Sequence, residues 1–459
     1  MADYDLTVIG GGPGGYVAAL RGAQLGARVA LVEEKRVGGV CLNEGCIPTK
    51  TLTRSVELLL DIERAQEFGI LVSEPALDFA KMMARKEMVV ERLVSGVEAL
   101  LQARKVELFK GRGRLLAPNK VAVGGEELST RSIIIATGAE PGKPPVAGLD
   151  LEGVLTSSEI LELEEAPSDL VIVGGGVIGM EFASIFNALG TKVTVIEMLP
   201  SLLPPVDEEL SRRYLNLVRR QGVEVHLNSP LRGVQGKGPS LLVEYGADEK
   251  VDSVEADYVL IATGRLPYTE GLGLAELGVP CGKGRAIVVD DYLQTTVPGV
   301  YAVGDVTGGW MLAHVASRQG EIAAENALGD KKGIDYRAVP YGVFTFPEMA
   351  GVGLTEQEAK GKGIPYKKSI FRFGASGRAL TMGETTGLVK MLCHEGGQVQ
   401  GLHIMGPHAT DLIAEGALAI QMGATASDIV ATIHAHPTLP EAVREAALGQ
   451  LEGPIHALS

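Results

Sequence analysis

The sequence predicts an α/β protein made of two nucleotide-binding units of one design, followed by a smaller α+β domain. Three observations predict it. A glycine-rich strand–turn–helix stands close to the N-terminus. The same pattern returns 164 residues later. From about Arg337 the pattern changes to separated strands followed by helices.

The first unit opens with Tyr4-Asp-Leu-Thr-Val-Ile, a short β-type run. It ends in Gly10-x-Gly12-x-x-Gly15 and passes into a helix over Tyr16 to Leu25. A second β-type run, Ala27 to Val32, stops at Glu33. Strand, glycine turn, helix, strand and acidic residue form the dinucleotide fingerprint in its proper context. The glycines let backbone N–H groups and a helix N-terminus approach a pyrophosphate. The acid about 20 positions on accepts from ribose hydroxyls. Further along, Arg54 to Gln66 and Met82 to Lys105 have helical apolar spacing, and Glu107 to Glu127 reads as short strands. Ser132-Ile-Ile-Ile-Ala-Thr137-Gly138 is a buried strand with a glycine turn, and 140–145 reads as a linker.

At Asp169 the pattern begins again. Gly174, Gly176 and Gly179 repeat Gly10, Gly12 and Gly15, and Glu197 repeats Glu33. A strand ending Ala262-Thr-Gly264 echoes Ala136-Thr-Gly138. Such internal similarity means two dinucleotide folds in one chain. Two folds imply two nucleotides, and a flavin with a nicotinamide is the pair joined by hydride transfer. Met198 to Leu203 contains no Arg or Lys after Glu197. A 2′-phosphate needs a cation there and a free 2′-hydroxyl suits a carboxylate, so NAD is expected over NADP.

A third strand, Val300-Tyr-Ala-Val-Gly304, ends at Asp305, which by itself fits a strand-end turn better than a ligand contact. After Arg337 come strands at Gly342 to Phe346 and Leu388 to Cys393, then helices at Asp411 to Met422 and Glu441 to Leu448. The expected divisions are 1–147 and 148–269 for the nucleotide units, 270–336 for a central domain and 337–459 for an interface domain.

Between the first fingerprint and the first long helix lies Gly38-Gly39-Val40-Cys41-Leu42-Asn43-Glu44-Gly45-Cys46-Ile47-Pro48-Thr49-Lys50. Two of the chain's 4 cysteines stand here, five positions apart. A metal half-site needs a second ligand pair, and Cys281 and Cys393 are solitary, so no metal is expected. Two inert thiols would suit a core, but their place beside a dinucleotide motif favours a redox pair. In a regular helix residues five apart have Cα atoms roughly 8.6 Å apart, beyond the span of about 4.4–6.8 Å that a disulfide bridges. A bonded pair therefore requires a break in the helix, and Gly45 is where it fits. Thiol exchange also needs a base. His436, with Glu441 five positions on, is a candidate. Thr438-x-x-Glu441 equally fits a helix capping box, and His434 competes with His436.

The chain has 459 residues, too many for one core. Its net charge of −15 argues against a nucleic-acid binder. Few cysteines, no signal-peptide pattern and no membrane-length apolar run make a cytoplasmic location the expectation, with no membrane partner.

Together these residues resemble the flavin-dependent pyridine nucleotide–disulfide oxidoreductases. The likeness is carried by the Gly38–Lys50 stretch, both glycine loops, both Ala-Thr-Gly turns, Gly304-Asp305, Met311-Leu-Ala-His314 and His434-Ala-His-Pro-Thr438. It spans essentially the whole chain. It implies FAD on the first unit, with contacts at Gly10, Gly12, Gly15, Glu33, Thr137, Gly138, Asp305 and Ala313. It implies NAD on the second, at Gly174, Gly176, Gly179, Glu197 and Gly264. It implies a Cys41–Cys46 disulfide, Cys41 exchanging with a dithiol and Cys46 lying against the flavin. Lys50 resembles the lysine near the flavin, paired with Glu181. His436, steadied by Glu441, resembles the base, reaching the cysteines of the other subunit of a homodimer.

The nearer likeness is to the dihydrolipoamide-oxidising branch. That implies a lipoyl domain as substrate carrier and, as partner, the E2 core of a 2-oxoacid dehydrogenase complex, with service to a glycine cleavage system as the alternative. Rivals are an NADPH-dependent disulfide reductase of the glutathione or mercuric type and a purely scaffolding subunit. Glu197 opposes the first, as does the lack of an extra cysteine pair in Ala447 to Ser459. The second requires broken cofactor motifs, and none is broken. Three departures stand out: a short connection from Glu33 to Gly38, Trp310 where proline is usual, and Pro440 where serine is usual.

Overall fold

The computed structural model describes residues 2–73, 75–247 and 250–458. The first unit begins with β1 (Tyr4–Ile9), α1 (Pro13–Gln24) and β2 (Val29–Glu33). There follow α2 (Gly39–Asn43), α3 (Cys46–Glu63) and α4 (Phe79–Ala103). Next come β3 (Glu107–Lys110), β4 (Arg114–Ala117), β5 (Lys120–Val123) and β6 (Glu126–Ile135). β3, β2, β1 and β6 lie side by side and parallel. β6 is long enough to serve twice. Its start pairs antiparallel with β5, and its end, Ile133 to Ile135, pairs with β1. Those isoleucines are fully buried, as an uninterrupted apolar run in a parallel sheet requires. Each contributes roughly 1.5–3 kcal/mol by leaving water.

The 140–145 connection is not the plain linker expected. β7 (Ala139–Pro141) carries the chain out to the second unit and pairs antiparallel with the strand that returns. The second unit comprises β8 (Val154–Leu155), β9 (Asp169–Val173), α5 (Val177–Ala188), β10 (Lys192–Ile196), α6 (Glu208–Arg220) and β11 (Glu224–His226). A ribbon of β12 (Leu231–Lys237), β13 (Ser240–Tyr245) and β14 (Asp252–Ala256) precedes β15 (Tyr258–Ile261) and β16 (Arg265–Pro267). β16 is the returning strand paired with β7, and the two crossovers satisfy each other's backbone groups.

The second sheet runs β11-β10-β9-β15-β8, all parallel. The first sheet repeats this order over β3-β2-β1-β6, and β17 (Val300–Ala302), from later in the chain, lies beside β6 where β8 lies beside β15. The repeat thus reaches beyond the motifs to the strand order. The segment expected as a central domain returns to the first sheet through β17, and α7 (Ala313–Ala327) then packs along α1.

The last part is an antiparallel sheet of β18 (Pro340–Val343), β19 (Glu348–Gly353), β20 (Lys367–Arg372), β21 (Leu388–Cys393) and β22 (Val399–Gly406), in the order β18-β19-β22-β21-β20. Two short helices, α8 (Glu356–Gly361) and α9 (Gly377–Met382), lie between its strands. α10 (Ala409–Met422) packs on β19 and β22, α11 (Ala426–Ala431) follows, and α12 (Glu441–Leu448) packs on β20 and β21. The strand expected at Gly342 to Phe346 stops at Val343. Beyond it the Phe344 N–H donates to Glu181 at 3.0 Å and the Phe346 N–H to Ser184 Oγ at 3.3 Å, both on α5. No described helix is long and apolar enough to cross a membrane.

The two glycine turns are built without room for side chains. A Cβ on Gly15 would stand 1.7 Å from the Gly10 carbonyl oxygen, and one on Gly179 2.0 Å from that of Gly174. Gly15→Ala and Gly179→Ala are each expected to destabilise the protein by about 1–3 kcal/mol. Thermal unfolding measures it, and a melt unchanged from the parent protein would contradict this packing.

Candidate active site

The cysteine stretch is helix on both sides of a break. α2 ends at Asn43 and α3 begins at Cys46. Between them Glu44 (φ −135°, ψ 18°) and Gly45 (φ −151°, ψ −106°) leave helical geometry. Cys41 and Cys46 therefore belong to different helices and can approach as five helical residues cannot. They are free thiols here, hydrogen-bonded to one another. The stretch is fastened to the first glycine turn, because the Gly38 N–H donates to the Gly11 carbonyl at 2.8 Å. Gly39 has φ +55°, and a Cβ there would stand 2.7 Å from the Gly12 Cα. That close approach accounts for the paired glycines.

Lys50 lies one turn after Cys46 on the same face of α3. Its Nζ is 2.7 and 2.9 Å from the two carboxylate oxygens of Glu181, on α5 of the second unit. Glu181 is buried and also accepts the Phe344 N–H. The Lys50 ammonium sits 4.6 Å from the centre of the Phe344 ring. The hydrogen bond from Cys41, helped by the Lys50 charge and opposed by burial, pulls Cys46 down to about 7. The same hydrogen bond, with burial, pushes the Cys41 thiol well up. Cys46 thus carries the negative charge of the reduced pair and Cys41 keeps the proton.

Each glycine turn has its acidic residue turned back onto it. Glu33 accepts the Gly11 N–H at 2.6 Å and the Lys35 N–H at 2.7 Å. Glu197 accepts the Gly175 N–H at 2.6 Å and the Leu199 N–H at 2.7 Å. One cavity of about 2410 Å³ runs past both turns. A site for one drug-sized ligand takes about 300–1,000 Å³, so this volume suits two dinucleotides.

From the first unit Gly10, Gly12, Glu33, Thr137 and Gly138 line the cavity, with Asp305 and Ala313. From the second come Gly174, Gly176, Glu197 and Gly264. Cys41, Cys46, Lys50 and Glu181 stand on the same wall system. Gly15 and Gly179 lie behind it, in the turns. Ala313 is the first residue of α7, so a helix N-terminus faces the cavity there. Burial pushes the Asp305 carboxyl up against the pull of Arg265. Turns with no space for a Cβ at Gly10, Gly15, Gly174 and Gly179, helix N-termini without a side-chain cap at Gly12 and Gly176, and a carboxylate on each turn fit a dinucleotide in each unit.

His436 does not line the cavity, so one chain alone does not bring it to the cysteines. Its Nδ1 is 2.8 Å from Glu441 Oε1, and its side chain is 77% exposed. Glu441 also accepts the Thr438 N–H at 2.8 Å through its other oxygen. The Thr438 hydroxyl donates to the Ala435 carbonyl at 2.6 Å rather than capping the helix. The helix starts at Glu441 with Pro440 before it, so the expected capping box does not form, and Glu441 orients the imidazole while tying down the Thr438 backbone. Burial pushes the Glu441 carboxyl up, but the Thr438 N–H and the His436 ring outweigh it and hold it low. His434 has both ring nitrogens engaged, at 2.9 Å each, with Thr432 O and Glu415, and is 7% exposed. It is a structural tie, and His436 is the histidine left facing outward.

Two neighbours of the cysteines escaped the sequence reading. Arg265 donates to the Ala139 carbonyl, and its buried charge faces Asp305 and Cys46. Its place just after the second Ala-Thr-Gly was the available signal. Phe344 had none. Trp310 lines the cavity and is 44% exposed, and Pro440 precedes α12 with φ −55°, which suits a helix start.

The chain belongs to the pyridine nucleotide-disulphide oxidoreductases: that family matches residues 4–320, and its dimerisation domain matches residues 339–447. It is therefore a flavoprotein disulfide oxidoreductase with a redox-active cysteine pair, of a family that binds FAD and a pyridine nucleotide. Among its relatives, the dihydrolipoyl dehydrogenase of Thermus scotoductus is 44% identical over the full length of both chains. That of Chlamydia muridarum is 42% identical over 99% of this chain and 98% of its own. Two solved structures share the fold at 30% identity. LpdA from Mycobacterium tuberculosis has a TM-score of 0.90 over 96% of this chain and 99% of its own. The HOCl-induced flavoprotein disulfide reductase RclA from Escherichia coli has 0.88 over 97% and 99%.

The electrostatics of the pair are open to titration. A pulled-down Cys46 is protonated and sluggish below pH about 7 and a reactive thiolate above it. Iodoacetamide alkylation of the reduced protein is expected to rise through a midpoint there. Lys50→Met removes a charge that favours the thiolate, so its midpoint moves up. An unmoved midpoint would show that Lys50 does not act on Cys46.

Proposed function

We propose that this protein oxidises the dihydrolipoamide of a lipoyl domain and delivers the electron pair to NAD+, the reaction that the name of its relatives denotes. The observation that carries the reading is the junction of the Cys41–Cys46 pair and the Lys50–Glu181 ion pair between two glycine cradles. Support for NAD comes from Glu197, held on its own turn with no Lys or Arg in Met198 to Leu203. A carboxylate there accepts from a ribose hydroxyl and repels a phosphate.

Gly10, Gly12, Gly15, Glu33, Thr137, Gly138, Asp305 and Ala313 would hold FAD. Gly174, Gly176, Gly179, Glu197 and Gly264 would hold NAD. Bound there, FAD would supply two-electron redox chemistry between the cysteine pair and NAD+. The partner subunit's His436 takes the proton of one substrate thiol, steadied as imidazolium by Glu441. The resulting thiolate attacks Cys41 of the disulfide form. The Cys41–Cys46 bond breaks, and Cys46 leaves as a thiolate beside Lys50. A depressed pKa makes Cys46 the better leaving group of the two. The second substrate thiol then attacks the sulfur bound to Cys41, closes the substrate disulfide and leaves its proton on Cys41. Two electrons enter the pair, with one proton on Cys41 and one on His436.

The same reading makes the protein a subunit whose lipoyl substrate arrives on the E2 core of a 2-oxoacid dehydrogenase complex or on the lipoyl carrier of a glycine cleavage system. Steady-state assays with dihydrolipoamide, comparing NAD+ with NADP+, test it. NAD+ is expected to be preferred, and a preference for NADP+ would favour an NADPH-dependent disulfide reductase. Cys46→Ser is expected to abolish dihydrolipoamide oxidation with FAD retained. His436→Gln is expected to lower kcat by about 10²–10⁴-fold, the usual scale of general-base loss. Full activity in either variant would contradict the roles assigned.

A further inference from the structure

We propose that Lys390, in the dimerisation domain, is a positioning residue for the pyridine nucleotide: through Asp207 it fixes the strap at 198–207 that walls the second dinucleotide cradle. The proposal rests on reading that cradle as the NAD site. Lys390 lies within β21 and its side chain is 0% exposed. Its Nζ is 2.8 Å from Asp207 Oδ1, also 0% exposed, and 2.6 Å from Glu356 Oε2. An ammonium so far from water is tolerated only with close partners. Asp207 belongs to the second unit, so the ion pair bridges that unit and the dimerisation domain.

Asp207 ends the strap. It caps α6 by accepting the Glu209 N–H at 3.0 Å and reaches across the domain boundary to accept the Glu356 N–H at 3.0 Å. At the strap's other end the Leu199 N–H is held by Glu197. In between, the Leu203 N–H donates to the Gly175 carbonyl at 2.8 Å, within the glycine turn itself. Leu203 is fully buried with φ +51°, a conformation a leucine keeps only when its surroundings over-determine it. Gly175 lies hard against the strap, since a Cβ on it would meet Leu202 Cδ2 at 2.4 Å. Met198, Leu199, Pro204 and Pro205 of the strap line the cavity. Val206, next to Asp207, donates its N–H to the Leu203 carbonyl at 2.9 Å, so a contiguous run leads from Lys390 through Asp207, Val206 and Leu203 to Gly175 and Glu197, the groups expected to meet the nucleotide.

Nothing in this run touches the cysteines or the first glycine turn, so its loss is expected to act on one ligand only. In the FAD-loaded dimer, Lys390→Met is expected to weaken NAD+ binding about tenfold, within the ordinary range of coupling between sites. KM for NAD+ rises with it, while bound FAD, KM for dihydrolipoamide and kcat at saturating NAD+ stay near those of the parent protein. The double variant Lys390→Met/Asp207→Asn removes both charges, keeps a capping side chain on α6 and leaves Glu356 its pairs with Lys360 and Lys368. It covers the case in which the single variant does not fold, and the same tenfold weakening is expected of it. Unchanged NAD+ affinity in a folded variant would overturn the proposal, and so would a loss of FAD in step with NAD+. A parent protein that binds no NAD+ would overturn the reading of the cradle and this proposal with it.

Discussion

Two sulfurs five residues apart must meet, and a continuous helix forbids it. The break at Glu44 and Gly45 removes that obstacle, and much of the molecule is arranged around the result. Gly38 and Gly39 press the first helical segment onto the glycine turn of the first unit. Cys46 then starts a long helix, whose N-terminal dipole favours a thiolate. Lys50 follows one turn later, so a cation stands on the same face as that sulfur. The second unit sends Glu181 to hold the cation, and the dimerisation domain sends Phe344 to cover it. Three parts of the chain meet at one reduced or oxidised bond.

The two cysteines are unequal for the same reasons. A hydrogen bond between them makes Cys41 the donor and Cys46 the acceptor, and the Lys50 charge favours a thiolate beside it. An exchange reaction needs this asymmetry. In the proposed exchange Cys41 takes the substrate thiolate, and Cys46 leaves easily and remains charged. The buried carboxylate of Glu181 keeps Lys50 from being an unpaired charge in a low-dielectric wall. Without it the lysine would gain by turning toward solvent.

Much of this was legible in the sequence because it is local. The glycine turns, the acid after each second strand and the broken cysteine helix all follow from residues a few positions apart. The repeat of 164 residues even anticipates the shared order of four parallel strands in the two sheets. What stayed hidden was built by contacts distant in sequence. β7 pairs with β16, Phe344 ends a strand early to reach α5, and Lys390 meets Asp207 across 183 positions. None has a local signature. The choice between His434 and His436 was of the same kind. Glu415, 19 residues before His434, ties that ring down and leaves His436 as the exposed one.

In the proposed reaction each site is shared, and the cysteines of one chain are served by the partner subunit's His436. Mixing the two inactive variants, Cys46→Ser and His436→Gln, after dissociation and reassembly tests it most directly. Random pairing places one intact cysteine pair opposite one intact histidine in half of the dimers. About a quarter of the parent activity should return if sites are built across a two-fold interface. A mixture that stays inactive, although mixed dimers are present, would mean that cysteine pair and base must come from the same chain, and would contradict the shared site.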